Sequence, residues 1–224
     1  MKIVFDSGVL IGFSETCYLS LLQPLREEIG EFIITEKVKY ECIGKVENIM
    51  RFKLSSIRIA REITDHVFTV QPNSKQLEEA TFKIMELTNS MVLVRRKPIT
   101  IIQFGEAESL GLLAITDASY LAVDERTTRM LVEQPHALIE ILKRKYNTND
   151  VHLDEAKYLK FKELIGPVTV IRTVDLFSYA QKHKLLTSEF DNPENLKAGL
   201  YALKIKGCSV SFEEIDEYIR SLYK

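Results

Sequence analysis

The chain has 224 residues, with 30 Lys and Arg against 32 Asp and Glu and a formal net charge of −2. At this length a folded chain buries roughly 70% of its unfolded surface, enough for one or two cored domains without a disulfide or metal staple. With 46% hydrophobic and 28% charged residues, disordered, collagen-like and membrane classes are excluded, and the charge balance excludes a protein held on nucleic acid by a general positive coat.

In chain order, Lys2 to Phe5 is an apolar run ended by Asp6-Ser7-Gly8, the pattern of a buried strand stopping at a polar turn. A second run, Phe32 to Ile34, stops at Thr35, which can cap a helix through about Val46. Further strands are expected at Val67 to Val70, Tyr120 to Val123 and Val168 to Ile171, separated by helix-like stretches. Alternation of this kind predicts βαβ units and a mostly parallel sheet covered on both faces. Between Glu133 and Gly166 a segment carrying Lys143-Arg144-Lys145, the polar stretch Asn147 to Asp150 and a Lys- and Glu-rich helix reads as a helical insertion between two strands of that sheet. Amphipathic helices follow near Val174 to Lys184, Pro193 to Lys206 and Phe212 to Leu222, with Gly207 as a C-cap and Ser211 with Glu214 as a capping box. The simplest organisation is a single α/β domain over 1–132 and 168–224, elaborated by the helical insertion 133–167.

Cys17, Cys42 and Cys208 are odd in number, far apart and free of CxxC spacing, and read as small core residues of a reducing compartment. Only Ile3, Val4 and Phe5 separate the single Lys from Asp6, too short an apolar stretch for a signal peptide, and no run approaches the ~18 to 20 apolar residues of a membrane span. A cytoplasmic location is expected.

Ligand sites in parallel α/β sheets lie beyond the carboxyl ends of the strands. Asp6 and Asp124 directly follow apolar runs there, although each could simply cap the next helix. In the stretch Gly105 to Leu113, a turn of ~100° per residue puts Glu106 on a stripe with Leu110 and Leu113, with Glu108 facing solvent about 200° away. A carboxylate on the core side costs free energy unless hydrogen-bonded or bound to a cation. Glu41 lies at the edge of the stripe Val38, Cys42, Val46, Ile49. Four acids converging on one spot repel unless a divalent cation sits among them, and oxygen-only ligands select Mg2+ or Mn2+ over zinc. The implied chemistry is metal-assisted phosphodiester hydrolysis.

The order IVFDSGVLI, ITEKVKYECI, GEAESLGLL, YLAVDERTTRML, then VIRTVDLFSYAQKHKLL and LKAGLYALKIKGCSVSFEEIDEYI, resembles the PIN domain nucleases over about residues 1 to 132 and 168 to 222. The resemblance implies a three-layer α/β/α sandwich and a Mg2+- or Mn2+-dependent endoribonuclease. Asp6, Glu41, Glu106 and Asp124 match the family's four acids, with Asp6, Glu106 and Asp124 as direct metal ligands and Ser7 orienting the first acid. Gly8, the run Glu125-Arg126-Thr127 and the insertion depart from the family pattern. Arg126, Arg129 and Arg95-Arg96-Lys97 are candidate contacts to single-stranded or structured RNA, the last equally readable as a solvated loop.

Alternatives are a PIN-like module that binds RNA or protein and hydrolyses weakly or not at all, and a toxin ribonuclease of a toxin-antitoxin pair. A protein partner could dock on the insertion through Leu138, Ile141, Leu142, Leu159 and Phe161; a homodimer is also open. Gly-rich phosphate loops are missing, and His66, His136, His152 and His183 are scattered without ligand spacing.

Overall fold

The computed structural model describes residues 1–223. In chain order these residues form β1 (Lys2–Phe5), α1 (Ser7–Glu15), α2 (Leu22–Ile29), β2 (Glu31–Thr35), α3 (Glu36–Lys39), α4 (Met50–Thr64), β3 (Thr69–Gln71), α5 (Lys75–Met91), β4 (Val92–Val94), β5 (Lys97–Pro98) and α6 (Phe104–Ile115). Then follow β6 (Tyr120–Ala122), α7 (Arg126–Glu133), α8 (Pro135–Lys145), β7 (Val151–Leu153), α9 (Glu155–Ile165), β8 (Thr169–Ile171), α10 (Thr173–Lys182), α11 (Pro193–Ile205) and α12 (Phe212–Leu222).

The central sheet has the order β3-β2-β1-β6-β8, parallel throughout, as the strand and helix alternation implied. Its side chains alternate between two cores, because successive residues of a strand face opposite ways. Ile3, Phe5, Phe32, Ile34 and Ala122 pack with α1, α2, α4, α10 and α11 on one face. Val4, Ile33, Leu121 and Val170 pack with α5, α6, α7, α8 and α9 on the other. The result is a three-layer α/β/α sandwich. Thr35 caps α3 by accepting from the Val38 N–H at 3.1 Å, and Ser211 and Glu214 form the expected capping box on α12. Gly207, at φ +113, follows α11 in a conformation suited to glycine.

The segment 133–167 differs from a purely helical insertion. Val151–Leu153 is a strand, paired antiparallel to Val92–Val94 in a separate sheet of order β5-β4-β7. The five apolar residues proposed as a partner surface are mostly spent on the protein's own core. Leu138, Leu142 and Phe161 are buried and Ile141 partly so, while Leu159 alone stands exposed. The helices α8 and α9 need an apolar face to hold against the sheet, and these residues supply it. Cys42 and Cys208 are buried as expected, but Cys17 is exposed, because the chain reverses just after α1 with Cys17 at φ 65.

Arg95 and Arg96 form the two-residue turn joining β4 to β5, with Val94 opposite Lys97. Both have positive φ, 50 and 63. Such turns need left-handed backbone at both positions, which Asn-Gly adopts readily and arginine does not. Replacing the pair by Asn-Gly is expected to raise the free energy of unfolding by about 1 kcal/mol in chemical denaturation; a lower midpoint would mean that the arginine side chains stabilise the hairpin.

Candidate active site

Three of the four expected acids, Asp6, Glu41 and Glu106, line one cleft, and Asp124 does not. Asp6 leaves β1 in extended backbone and caps α1, accepting from the Gly8 N–H at 3.2 Å. It is only 8% exposed. Beyond β2 the helix does not run on to Val46. After α3 the backbone opens into a single π-helical turn, Tyr40–Gly44, which carries Glu41; turns of this kind often occur at functional sites. Glu41 accepts from the Ser7 hydroxyl at 2.9 Å and faces the Lys37 ammonium at 3.7 Å. Ser7 therefore orients the second acid, whereas the resemblance assigned it to the first.

The N-terminus of α6 closes the third side. A Cβ on Gly105 would lie 3.1 Å and 3.3 Å from the two Glu41 carboxylate oxygens, so glycine lets the helix start come this close, where its positive end favours an anion. Glu106, half-buried, turns its carboxylate back to accept from the Gln103 N–H at 2.7 Å. Asp6, Ser7, Lys37, Glu41, Lys45 and Glu106 line one cleft of about 400 Å³.

Burial is the main cause that pushes the Asp6 carboxyl up to about 7; the Gly8 N–H opposes it, and the negative charges of Glu106 and Glu41 add to it. Glu106 is also raised, first by burial and then, against its own helix amides, by Glu125 and Glu41. Glu125 stands in the sequence reading only as part of a departure from the family pattern, not as a site residue. It caps α7 through the Thr128 N–H at 2.6 Å, and its position directly after a strand-end acid was the available signal. Lys37 and Lys45 were missed as well; Lys37 sits one helical turn before Glu41.

Asp124 is the exception. It is 5% exposed, and both oxygens are engaged by Thr173, the backbone N–H at 2.8 Å on one and the hydroxyl on the other. Its side chain is thus committed to the start of α10, and it does not line the cleft. Among the described residues no three His, Cys, Asp or Glu side chains are gathered as a ready cation cluster. Of the two arginines, Arg126 is exposed at the start of α7, and Arg129 lies 4.0 Å from Glu214 of α12.

Glu108 corrects a further expectation. It is 7% exposed, not solvated. Counting one apolar stripe fails on α6 because this helix is buried between the sheet and α5, so it has little solvent face: Gly105, Ala107 to Leu113 are all buried.

No family model, no curated protein and no solved structure matches this chain. Among the described residues no helix is long and apolar enough to cross a membrane. The chemistry open to the cleft follows from its donors. Asp6, Glu41 and Glu106 offer carboxylate oxygen alone, the donor type of hard divalent cations, and a cation here would offset both the burial and the neighbouring negative charge that raise Asp6. Gly105→Ala is expected to press Glu41 off Ser7 and weaken Mn2+ binding several-fold while costing no more than about 1 kcal/mol of stability, read by calorimetry and thermal melts. Unchanged affinity would remove Glu41 from the cation set.

Proposed function

We propose that the chain is a PIN-like, Mg2+- or Mn2+-dependent ribonuclease. The observation that carries this reading is that Asp6, Glu41 and Glu106 line one cleft at the carboxyl end of a parallel sheet. Asp6 and Glu106 would hold the cation, with Glu41 beside them. A bound divalent cation there supplies activation of water and neutralisation of charge on the phosphoryl group.

The chain's own residues do the rest. Ser7 and Lys37 fix the Glu41 carboxylate. Lys37 and Lys45, on the rim of an otherwise acidic cleft, attract the phosphodiester backbone. Arg126, exposed where α7 begins, extends that attraction past Glu125. Asp124 acts through position: it ties the end of β6 to α10 and so fixes the strand beside β1.

Calorimetry with Mn2+ followed by single-turnover cleavage of single-stranded and structured RNAs tests the reading. Binding and cleavage in the wild type, both lost in Asp6→Asn, are expected. No binding at millimolar Mn2+ would overturn it. A second reading, a module that binds RNA or protein without hydrolysis, draws on the engagement of both Asp124 oxygens by Thr173, and binding of RNA without cleavage would favour it.

A further inference from the structure

Beside the acidic cleft lies a second cavity of about 580 Å³, bounded by α3, the π turn, the start of α5 and α6. Its size lies within the range that takes a small organic ligand. Lys37 and Phe104 line both cavities and so form the wall between them. Tyr40 and Phe104 present exposed aromatic surface here, 54% and 37% accessible. The Tyr40 ring is set by the backbone: a Cβ on Gly44 would stand 2.7 Å from it, so only glycine lets the ring lie along the π turn. Glu108 also lines this cavity, although it is 7% exposed; burial pushes its carboxyl up against hydrogen bonds from the Thr35 side chain and the Lys37 N–H, and its Oε2 is buried without a hydrogen-bond partner. An acceptor left in that condition is destabilising and is satisfied when a ligand brings a donor.

We propose that this cavity is a nucleobase subsite selective for guanine. The inference rests on the ribonuclease reading for its use, since a base held here places its phosphate across Lys37 toward Asp6 and Glu106. Single-stranded bases are recognised by stacking on aromatic rings and by hydrogen bonds to their exposed edges. An ionised carboxylate only accepts. Guanine presents two adjacent N–H donors on one edge, N1–H and the 2-amino group. Adenine and cytosine set a bare ring nitrogen beside their amino group, and uracil flanks its single N–H with carbonyls. Glu108 therefore meets matched donors in guanine and a repelling lone pair in the others, while Tyr40 and Phe104 supply the stacking surface that any base would use.

The test is titration of GMP, AMP, CMP and UMP into the metal-free protein by calorimetry. GMP is expected to bind at least about tenfold tighter than the others. Glu108→Gln should abolish the preference. Because Glu108 is buried, Tyr40→Ala provides a variant at an exposed position, expected to weaken GMP several-fold with an unchanged melting temperature. Equal affinities, absence of binding, or a GMP preference that survives Glu108→Gln would overturn the subsite. Single-turnover cleavage with Mn2+, on RNAs carrying one guanosine, separates the two ideas. A GMP preference without cleavage leaves the subsite standing and removes the ribonuclease; cleavage without a GMP preference does the reverse.

Discussion

Asp6→Asn is expected to melt at a higher temperature than the wild type at pH 8, and to lose both Mn2+ binding and RNA cleavage. The carboxyl titrates near 3.8 in the unfolded chain and is pushed up to about 7 in the fold, chiefly by burial. Between those values the native protein keeps a proton that the unfolded chain has released, so stability falls as pH rises through the window. Below about pH 4 the acid costs nothing. Above pH 7 the whole cost is present, on the order of 4 kcal/mol. The amide carries no charge to desolvate, so its advantage is nil in acid and grows to several degrees of melting temperature above pH 7. Cation binding works in the opposite direction: Mn2+ at about 100 times its dissociation constant should stabilise the wild type by ~2.7 kcal/mol and leave the variant unmoved. A variant that melts lower than the wild type at pH 8, or that still gains from Mn2+, would show that Asp6 is a cap and nothing more.

Arg172→Ala is expected to cost about 3–5 kcal/mol in chemical denaturation. The guanidinium, 10% exposed, is the common partner of the C-terminal elements. Its Nε donates to Asp175 at 3.1 Å, its Nη1 to the Ser209 carbonyl at 3.0 Å and to Glu214 at 2.8 Å, and its Nη2 to the Tyr218 hydroxyl at 2.9 Å. Truncation leaves two carboxylates and a carbonyl facing one another without their cation, which costs more than the attraction alone. Lysine at this position keeps the charge but not the planar fork, so Arg172→Lys should recover only part of the loss. Faster proteolysis within α12 is the second readout, since Glu214 and Tyr218 hold that helix to α10 through Arg172. A loss below about 1 kcal/mol would show that apolar packing around Ile215 and Leu203 carries the contact.

The central sheet was legible because buried parallel strands write themselves as short apolar runs closed by a polar residue. Lys2–Phe5, Glu31–Thr35, Tyr120–Ala122 and Thr169–Ile171 all follow that rule. The expected strand at Val67 to Val70 began two residues late, because Val67 and Phe68 enter the core before the ladder forms. The small second sheet was hidden. Val92–Val94 and Val151–Leu153 are each too short to show a period, and their pairing joins distant parts of the chain. Within the site, strand-end position pointed to Asp6 and the edge of a helical stripe to Glu41, both of which line the cleft, whereas the stripe argument on α6 named Glu106 but misplaced Glu108. The direction of the Asp124 side chain depends on Thr173, which local pattern does not connect to it. The burial of Glu108 depends on α5 covering α6, which one helix's own sequence does not reveal.

The strand order has a consequence for assembly. β1 lies at the middle of the sheet, yet its two neighbours come from very different places: β2 from residues 31–35 and β6 from residues 120–122. The half-sheet β3-β2-β1 can form from the first third of the chain, but its inner edge, with Ile3, Val4 and Phe5, stays open until β6 arrives. Pairings of such long sequence separation close slowly, and an open apolar edge invites association in the meantime. Glu106 reaches Asp6 only with α6, just before β6. The Glu106 share of the cleft's repulsion is thus absent from the early half-sheet, where Asp6 faces Glu41 alone, and falls on the nearly completed molecule.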